Sequence, residues 1–170
     1  KTKYFCIFNA DGSFDPSEIE KMYNFLNKNN LDLVFGSRYQ KNSGSEDDTL
    51  VTLVGNYIFT YIGKILFSLP LNDILYTFVV GRTLQTKKLS LKQKDFSFCV
   101  ELPIKARRAG YRICTSKSYE RPRIGGEKKV NAFKDGLKIL FSMIKLFLRF
   151  IDFKSILFSM HNVNGFLSSP

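Results

Sequence analysis

A chain of 170 residues can bury a real core, and a composition of 44% hydrophobic and 24% charged residues excludes a disordered polymer. The net charge of +11 is uneven: residues 1–50 hold six Lys/Arg against eight Asp/Glu, and residues 101–130 hold nine against three. The acidic end suits a metal ion, and the basic end suits a phosphate, an anionic membrane or a nucleic acid.

Tyr4–Asn9 is a short, nearly continuous apolar run and predicts a strand buried on both faces, as in a parallel sheet. Asp11-Gly12-Ser13 reads as a loop. Asp15 as cap, Pro16 at the first helical position and Glu18 closing a capping box predict a helix start. Ile19, Met22, Phe25 and Leu26 give that helix one apolar face. Leu31–Phe35 reads as the next strand, closed by Gly36-Ser37-Arg38. A strand–loop–helix–strand unit of this kind predicts parallel strands, with the loop at Asp11 on the ligand-binding edge.

Residues 40–48 are polar and read as a loop. A long helix is expected from about Leu50 to Leu69. The stretch Thr49–Asn72 contains Lys64 and Pro70, so it reads as a partly buried helix rather than a transmembrane span. Leu71–Gly81 reads as a turn and a strand. Asp95 or Ser97 can cap a helix running through Arg108, Gly110 stops it, and Tyr111–Tyr119 is extended. From Val130 to Phe150, Lys134, Lys138, Lys145 and Arg149 share one helical face, with Phe133, Leu137, Leu140, Phe141, Ile144, Phe147 and Leu148 on the rest. That is a basic amphipathic helix suited to a membrane surface. Lys1-Thr2-Lys3 leads straight into the first strand, so no signal peptide is read. Cys6, Cys99 and Cys114 lie far apart with no CxxC pair, which points to reduced packing thiols. His161, the single histidine, is assigned no role.

Four places carry possible chemistry. Asp11, in a tight loop at a strand's carboxyl end, is either a turn residue or a ligand for Mg²⁺ or Mn²⁺. Arg38, on the same edge, is either a surface residue or a fork for phosphate oxygens. Glu101 lies among Phe98, Cys99, Val100 and Leu102. There it is either an exposed helix residue or a carboxylate of raised pKa able to act as a general base. Arg121, Arg123, Lys128 and Lys129 flank Gly125-Gly126 and form either a solvated charge run or a phosphate-binding loop.

The segment Asn9-Ala10-Asp11-Gly12-Ser13-Phe14-Asp15-Pro16 resembles the DxD region of family 2 glycosyltransferases, and is similar to the Asp-Ala-Asp and Pro-opened helix of the dolichyl-phosphate mannosyltransferase-like members. Phe35-Gly36-Ser37-Arg38-Tyr39, Gly55-Asn56 through Asp73 and Thr77, Phe98 to Glu101, Arg123 to Lys129 and Lys134-Asp135-Gly136 follow in the family's order and spacing. Together they cover about residues 4–140. Asn9 departs from the pattern, since its amide oxygen can coordinate but carries no charge.

The resemblance implies a partial α/β domain of the GT-A, Rossmann-like type over residues 1–129. An amphipathic membrane-interface helical segment follows over residues 130–170. It implies a metal-dependent, inverting transfer of a sugar from a nucleotide-diphosphate sugar to a polyprenyl phosphate, on the cytoplasmic face of a membrane. Asp11 and Asn9 would hold Mg²⁺ or Mn²⁺. Arg38, Arg121, Arg123, Lys128 and Lys129 would bind substrate, and Glu101 would lie near the acceptor. Asp73 would only cap or orient a neighbouring loop. The family's opening strand, its Asn-Glu loop and its nucleotide-gripping acidic residues find no match here. A fragment holding the later part of the catalytic domain is therefore expected, binding a nucleotide sugar poorly by itself.

Two other readings remain open at this point. One is transfer to a sugar hydroxyl of a glycan with Glu101 as base. The other is a non-catalytic basic module binding membrane or nucleic acid, or an inactive fragment. Nucleic acid is the poorer partner, because the cations are not interleaved with aromatics in the manner of a stacking platform.

Overall fold

The computed structural model describes residues 2–125 and 131–166. Its main sheet has four strands: β1 (Tyr4–Ile7), β2 (Leu33–Ser37), β4 (Val79–Arg82) and β5 (Ile113–Lys117), in the order β1-β4-β2-β5. A small second sheet pairs β3 (Gly44–Ser45) with β6 (Tyr119–Glu120) in parallel. The helices are α1 (Ser17–Lys28), α2 (Leu50–Phe67), α3 (Thr83–Lys88), α4 (Phe98–Arg108) and α5 (Ala132–Phe166).

The sheet is mixed, not purely parallel as expected. β2 pairs in parallel with β5, but β4 lies antiparallel between β1 and β2. β1 and β2 still run in the same direction, so the predicted strand–helix–strand unit exists with a strand inserted between its two halves. Gly81 makes the insertion possible. A Cβ there would lie 2.3 Å from a Leu33 methyl and 2.7 Å from the Phe5 ring.

β1 is not buried on both faces. It sits at an end of the sheet with Cys6 exposed, while all five residues of β2 are buried. The period-two alternation of β2 separates two cores. Leu33 and Phe35 pack with Val79, Phe67 and the buried faces of α4 and α5, whereas Val34 packs with Val80, Phe78, Phe14 and the Met22 and Leu26 face of α1. The result is a three-layer α/β/α arrangement, as expected for part of a GT-A domain. The first turns of α5 belong to it: Ile139, Met143 and Leu146 are core residues, so α5 is packed onto the domain over these turns.

The α1 capping box is not made. Asp15 accepts from the Ser17 amide, but the Glu18 carboxylate turns away to accept from the Ser118 hydroxyl and the Tyr119 amide. α2 has a genuine box instead: Thr49 accepts from the Thr52 amide, and the Thr52 hydroxyl accepts from the Thr49 amide. α2 is long and apolar enough to cross a membrane by length and composition. Its buried residues are Asn56, Thr60, Gly63 and Phe67, one stripe at helical spacing that binds it to the domain.

These directions put one edge of the sheet in charge of function. β1 delivers Asn9 to Ser13 there, β2 delivers Arg38, β5 leads to Glu120, and antiparallel β4 is entered there from Tyr76 and Thr77. Because α2 borders this edge, its cap is a measurable support. Thr49→Ala is expected to lower the unfolding free energy by about 1 kcal/mol, and Thr49→Ser by much less, read by chemical denaturation.

Candidate active site

At this edge a cleft of about 110 Å³ is lined by Asn9, Arg38, Asp47, Asp48, Glu120 and Arg123, with Asn56, Tyr76, Thr77 and Phe96 among its other walls. Arg38 is its anchor. Its Nε and Nη2 donate to the two oxygens of Asp73 at 2.8 and 3.0 Å, Nη1 donates to Glu120 at 2.9 Å, and Asp48 lies 3.6 Å away. Its guanidinium also lies 4.6 Å from the centre of the Tyr76 ring. The expected open fork for phosphate oxygens gives way to an internal ion-pair hub, with the bidentate edge turned onto Asp73. Burial works against the charge, but the Asp73 bonds and then Glu120 more than offset it, so the Arg38 pKa is raised.

Each carboxylate around Arg38 has further donors. Asp73, fully buried, accepts from Asn56 Nδ2 at 2.5 Å and from the Arg38 amide at 3.1 Å. Glu120 accepts from the Ser45 hydroxyl, and Asp48 accepts from the Tyr39 hydroxyl and from Thr52. The Asn56 amide oxygen accepts from the Leu75 amide at 3.3 Å, which closes the network onto the segment entering β4. Asp73 thus holds Arg38 in place.

The Asp11 loop is shaped by a second contact. Residues 121–124 lie along it: the Arg121 amide donates to the Ser13 carbonyl at 2.8 Å, and the Ile124 amide donates to the Asp11 carbonyl at 2.9 Å. Gly12 has φ +84°, and a Cβ there would lie 2.7 Å from Ile124, so both the backbone and the strap demand glycine. The Asp11 carboxylate accepts from the Ser13 hydroxyl at 2.7 Å and from the Ser13 amide at 3.1 Å, and Arg123 lies 3.7 Å away. Arg123 also forks onto Asp47 at 3.1 Å. Burial pushes the Asp11 pKa up, but the Ser13 bonds and Arg123 bring it below the usual value, so this carboxylate is anionic at neutral pH.

The structure therefore joins Asn9, Asp11, Arg38 and Arg123 in one region. Arg121 is paired with Asp15 on the surface, and Lys128 and Lys129 fall outside the described residues. Glu101 is elsewhere. It accepts from the Lys92 and Gln93 amides and pairs with Lys105 at 2.7 Å. Burial alone would raise its pKa, as expected from sequence, but the Lys105 and backbone bonds overcome it and the pKa is lowered. Its work in the fold is to hold the loop that carries Phe96. Asp47, Asp48 and Glu120 escaped the sequence reading because they sit in polar stretches with no periodicity. Asn56 carried a signal, a polar residue on the same helical face as Thr60. Among the described residues no group of three or more His, Cys, Asp or Glu side chains is arranged to cage an ion.

The sequence profile of glycosyl transferase family 2 matches residues 1–89, just over half of the chain and the whole of the Asp11–Arg38–Asp73 framework. The chain belongs to glycosyl transferase family 2. The family uses nucleotide-sugar donors and inverts the anomeric carbon. In this family 2 domain the match ends at Leu89, directly after α3, and the strap at residues 121–124 is joined to the matched part by the hydrogen bonds described above.

Two outcomes test this geometry. Asp73→Ala leaves Arg38 buried without its main partner and is expected to cost about 3–5 kcal/mol in urea unfolding. Glu101 has a depressed pKa, so its stabilisation is present above the ordinary carboxylate pKa of about 4.3 and is lost as pH falls through the lower folded value. Glu101→Gln should flatten the fall in stability below about pH 4 in acid-unfolding curves.

Proposed function

We propose that this family 2 protein transfers a sugar from a nucleotide-diphosphate donor to a polyprenyl phosphate at the cytoplasmic surface of a membrane. In this reading it acts in the manner of the dolichyl-phosphate mannosyltransferase-like members. The observation that carries the reading is the apolar surface beside the cleft. α2 exposes Leu50, Val51, Val54, Tyr57, Ile58, Tyr61 and Ile65, and α5 exposes Phe133, Phe141, Ile144 and Leu148. A surface of this kind suits a lipid interface. Lys134, Lys138, Lys145 and Arg149, all exposed, suit anionic headgroups at its border.

The acceptor chemistry agrees. A sugar hydroxyl needs a base, yet the carboxylates that line the cleft, Asp47, Asp48 and Glu120, are each engaged by neighbouring donors, and Glu101 does not line it. A lipid phosphate is already anionic at neutral pH and can attack without one. Substrate phosphates would meet Arg123, which lines the cleft.

A divalent ion fits the donor set. Mg²⁺ binds through one or two protein oxygens with substrate phosphates completing its shell. Asp11 is an anionic carboxylate facing a position where the fold already places positive charge, that of Arg123, and Asn9 would add an amide oxygen. When bound, such an ion neutralises charge on the leaving diphosphate. Asp11 would hold and orient it, Ser13 would fix the carboxylate, and the uncharged Asn9 would make the grip weaker than a two-aspartate pair.

Transfer of radiolabelled sugar to polyprenyl phosphate in vesicles, with Mg²⁺ or Mn²⁺ and the full-length protein, is the test. Asp11→Ala is expected to lower the rate by about 100-fold or more, a rise of about 2.7 kcal/mol in the barrier, with thermal stability little changed. Product formed only on a glycan hydroxyl would overturn the reading.

A further inference from the structure

Between α2 and α5 lies an apolar groove of about 200 Å³ whose walls include Val51, Gly55 and Phe59 from α2 and Phe133, Gly136 and Ile139 from α5. It shares Thr52, Leu75 and Phe96 with the polar cleft, so the two spaces adjoin through common walls. Its polar side chains are already engaged. Thr52 serves the α2 cap and Asp48, and the Asp135 carboxylate accepts from the Asn131 amide and from Lys138. The lining therefore offers nothing to a sugar and much to a hydrocarbon.

Two glycines line this groove, one from each helix, and neither is required by the backbone. Gly55 and Gly136 lie inside helices, where glycine is less favourable than any other residue except proline. A Cβ at Gly55 would meet nothing within 4 Å, and one at Gly136 would touch the Phe59 ring at 3.8 Å, ordinary contact. Gly63 differs, since a Cβ there would press on Ile74 at 2.9 Å, so that glycine serves helix packing. What Gly55 and Gly136 achieve is an open groove.

Building on the proposed transferase reading, we infer that this groove is the binding site for the hydrocarbon next to the phosphate of the lipid acceptor, kept open by Gly55 and Gly136. The phosphate lies in the cleft beside Arg123, and the first isoprenoid units pass between Thr52 and Phe96 into the groove. They leave it between the exposed apolar faces of α2 and α5. Phe96 forms the threshold, and Glu101 acts as a positioning residue by fixing the loop that carries it.

Filling the groove is the test. Gly55→Leu and Gly136→Leu, each in the full-length protein, place a side chain in the channel while favouring the helix. Steady-state transfer would be measured against polyprenyl phosphate and nucleotide sugar separately. Vesicle flotation without acceptor and a thermal melt would be run on the same proteins. The expected result is a rise in KM for polyprenyl phosphate of at least about tenfold, with unchanged donor KM, vesicle binding and Tm. An unchanged acceptor KM in both variants overturns the inference and leaves the transferase reading standing. So does a parallel loss of vesicle binding, which would make the groove a contact with bulk lipid. Absence of transfer to any polyprenyl phosphate by the unaltered protein overturns the reading and the inference together.

Discussion

The ion pair between Arg38 and Asp73 is the constraint on which this edge of the molecule depends. A guanidinium this deeply placed cannot be left without counter-charge, and breaking such a pair costs far more than the pair contributes over an apolar replacement. Its presence therefore speaks for position rather than for stability. Arg38 follows β2, Asp73 precedes β4, Asn56 belongs to α2, Asp48 sits before the α2 cap and Glu120 lies on β6. One cation and its carboxylates thus fix the relative places of the end of β2, α2 with its cap, the entry to β4, and β6. Three carboxylates around one guanidinium leave an excess of negative charge, and the hydroxyls of Ser45, Tyr39 and Thr52 and the amide of Asn56 spread it.

The hub leaves the Asp11 loop to a different device. Gly12 and Ser13 fold the loop so that the carboxylate is held by its own neighbours, and residues 121–124 lie against it through two backbone hydrogen bonds. Arg123 spans from Asp11 to Asp47, and so connects the strap to the loop before α2. The arrangement is graded. The hub is buried and closely hydrogen-bonded, whereas the Arg123 contact at 3.7 Å to Asp11 is longer and more exposed. A ligand bearing phosphates can compete with the second far more readily than with the first.

Much of this was legible before any coordinates. The strand at Tyr4, the helix start after Pro16, the strand ending at Arg38 and the long helix from Leu50 follow from local pattern and turn chemistry, and the structure has them within two or three residues. The loop at Asp11 and its placement at a strand's carboxyl end followed too. What failed were inferences that needed pairing. Nothing in Tyr4–Asn9 distinguishes a central strand from an edge strand, because its apolar run would suit either. The antiparallel insertion of β4 depends on Gly81 fitting between Leu33 and Phe5, a contact between residues more than forty apart. Glu101 misled for a related reason. Its apolar sequence neighbours predicted desolvation, which is real, but Lys105 one turn along the helix reverses its effect, helped by the Lys92 and Gln93 amides from a loop before the helix. The same limit hid Asp47 and Glu120, whose importance is set by the cation each one meets.

α2 shows why its sequence was hard to read and why its surface matters. In a helix on a water-soluble domain the apolar stripe is expected to face inward. Here the inward stripe holds Asn56 and Thr60 beside Gly63 and Phe67, and its polar members are needed to complete the hub and receive the Ile74 and Leu75 amides. The outward side holds Val51, Val54, Ile58 and Ile65. Turning the helix over would bury the aliphatic side chains but strip Asp73 of its Asn56 partner. The electrostatic demand of the site thus fixes the orientation, and the apolar residues are left to face outward. In water that surface is a liability, and in a lipid headgroup layer it is a means of attachment. The requirement that places Asn56 against Asp73 is in this way the same one that turns an apolar face outward beside the cleft, where a lipid-borne acceptor would arrive.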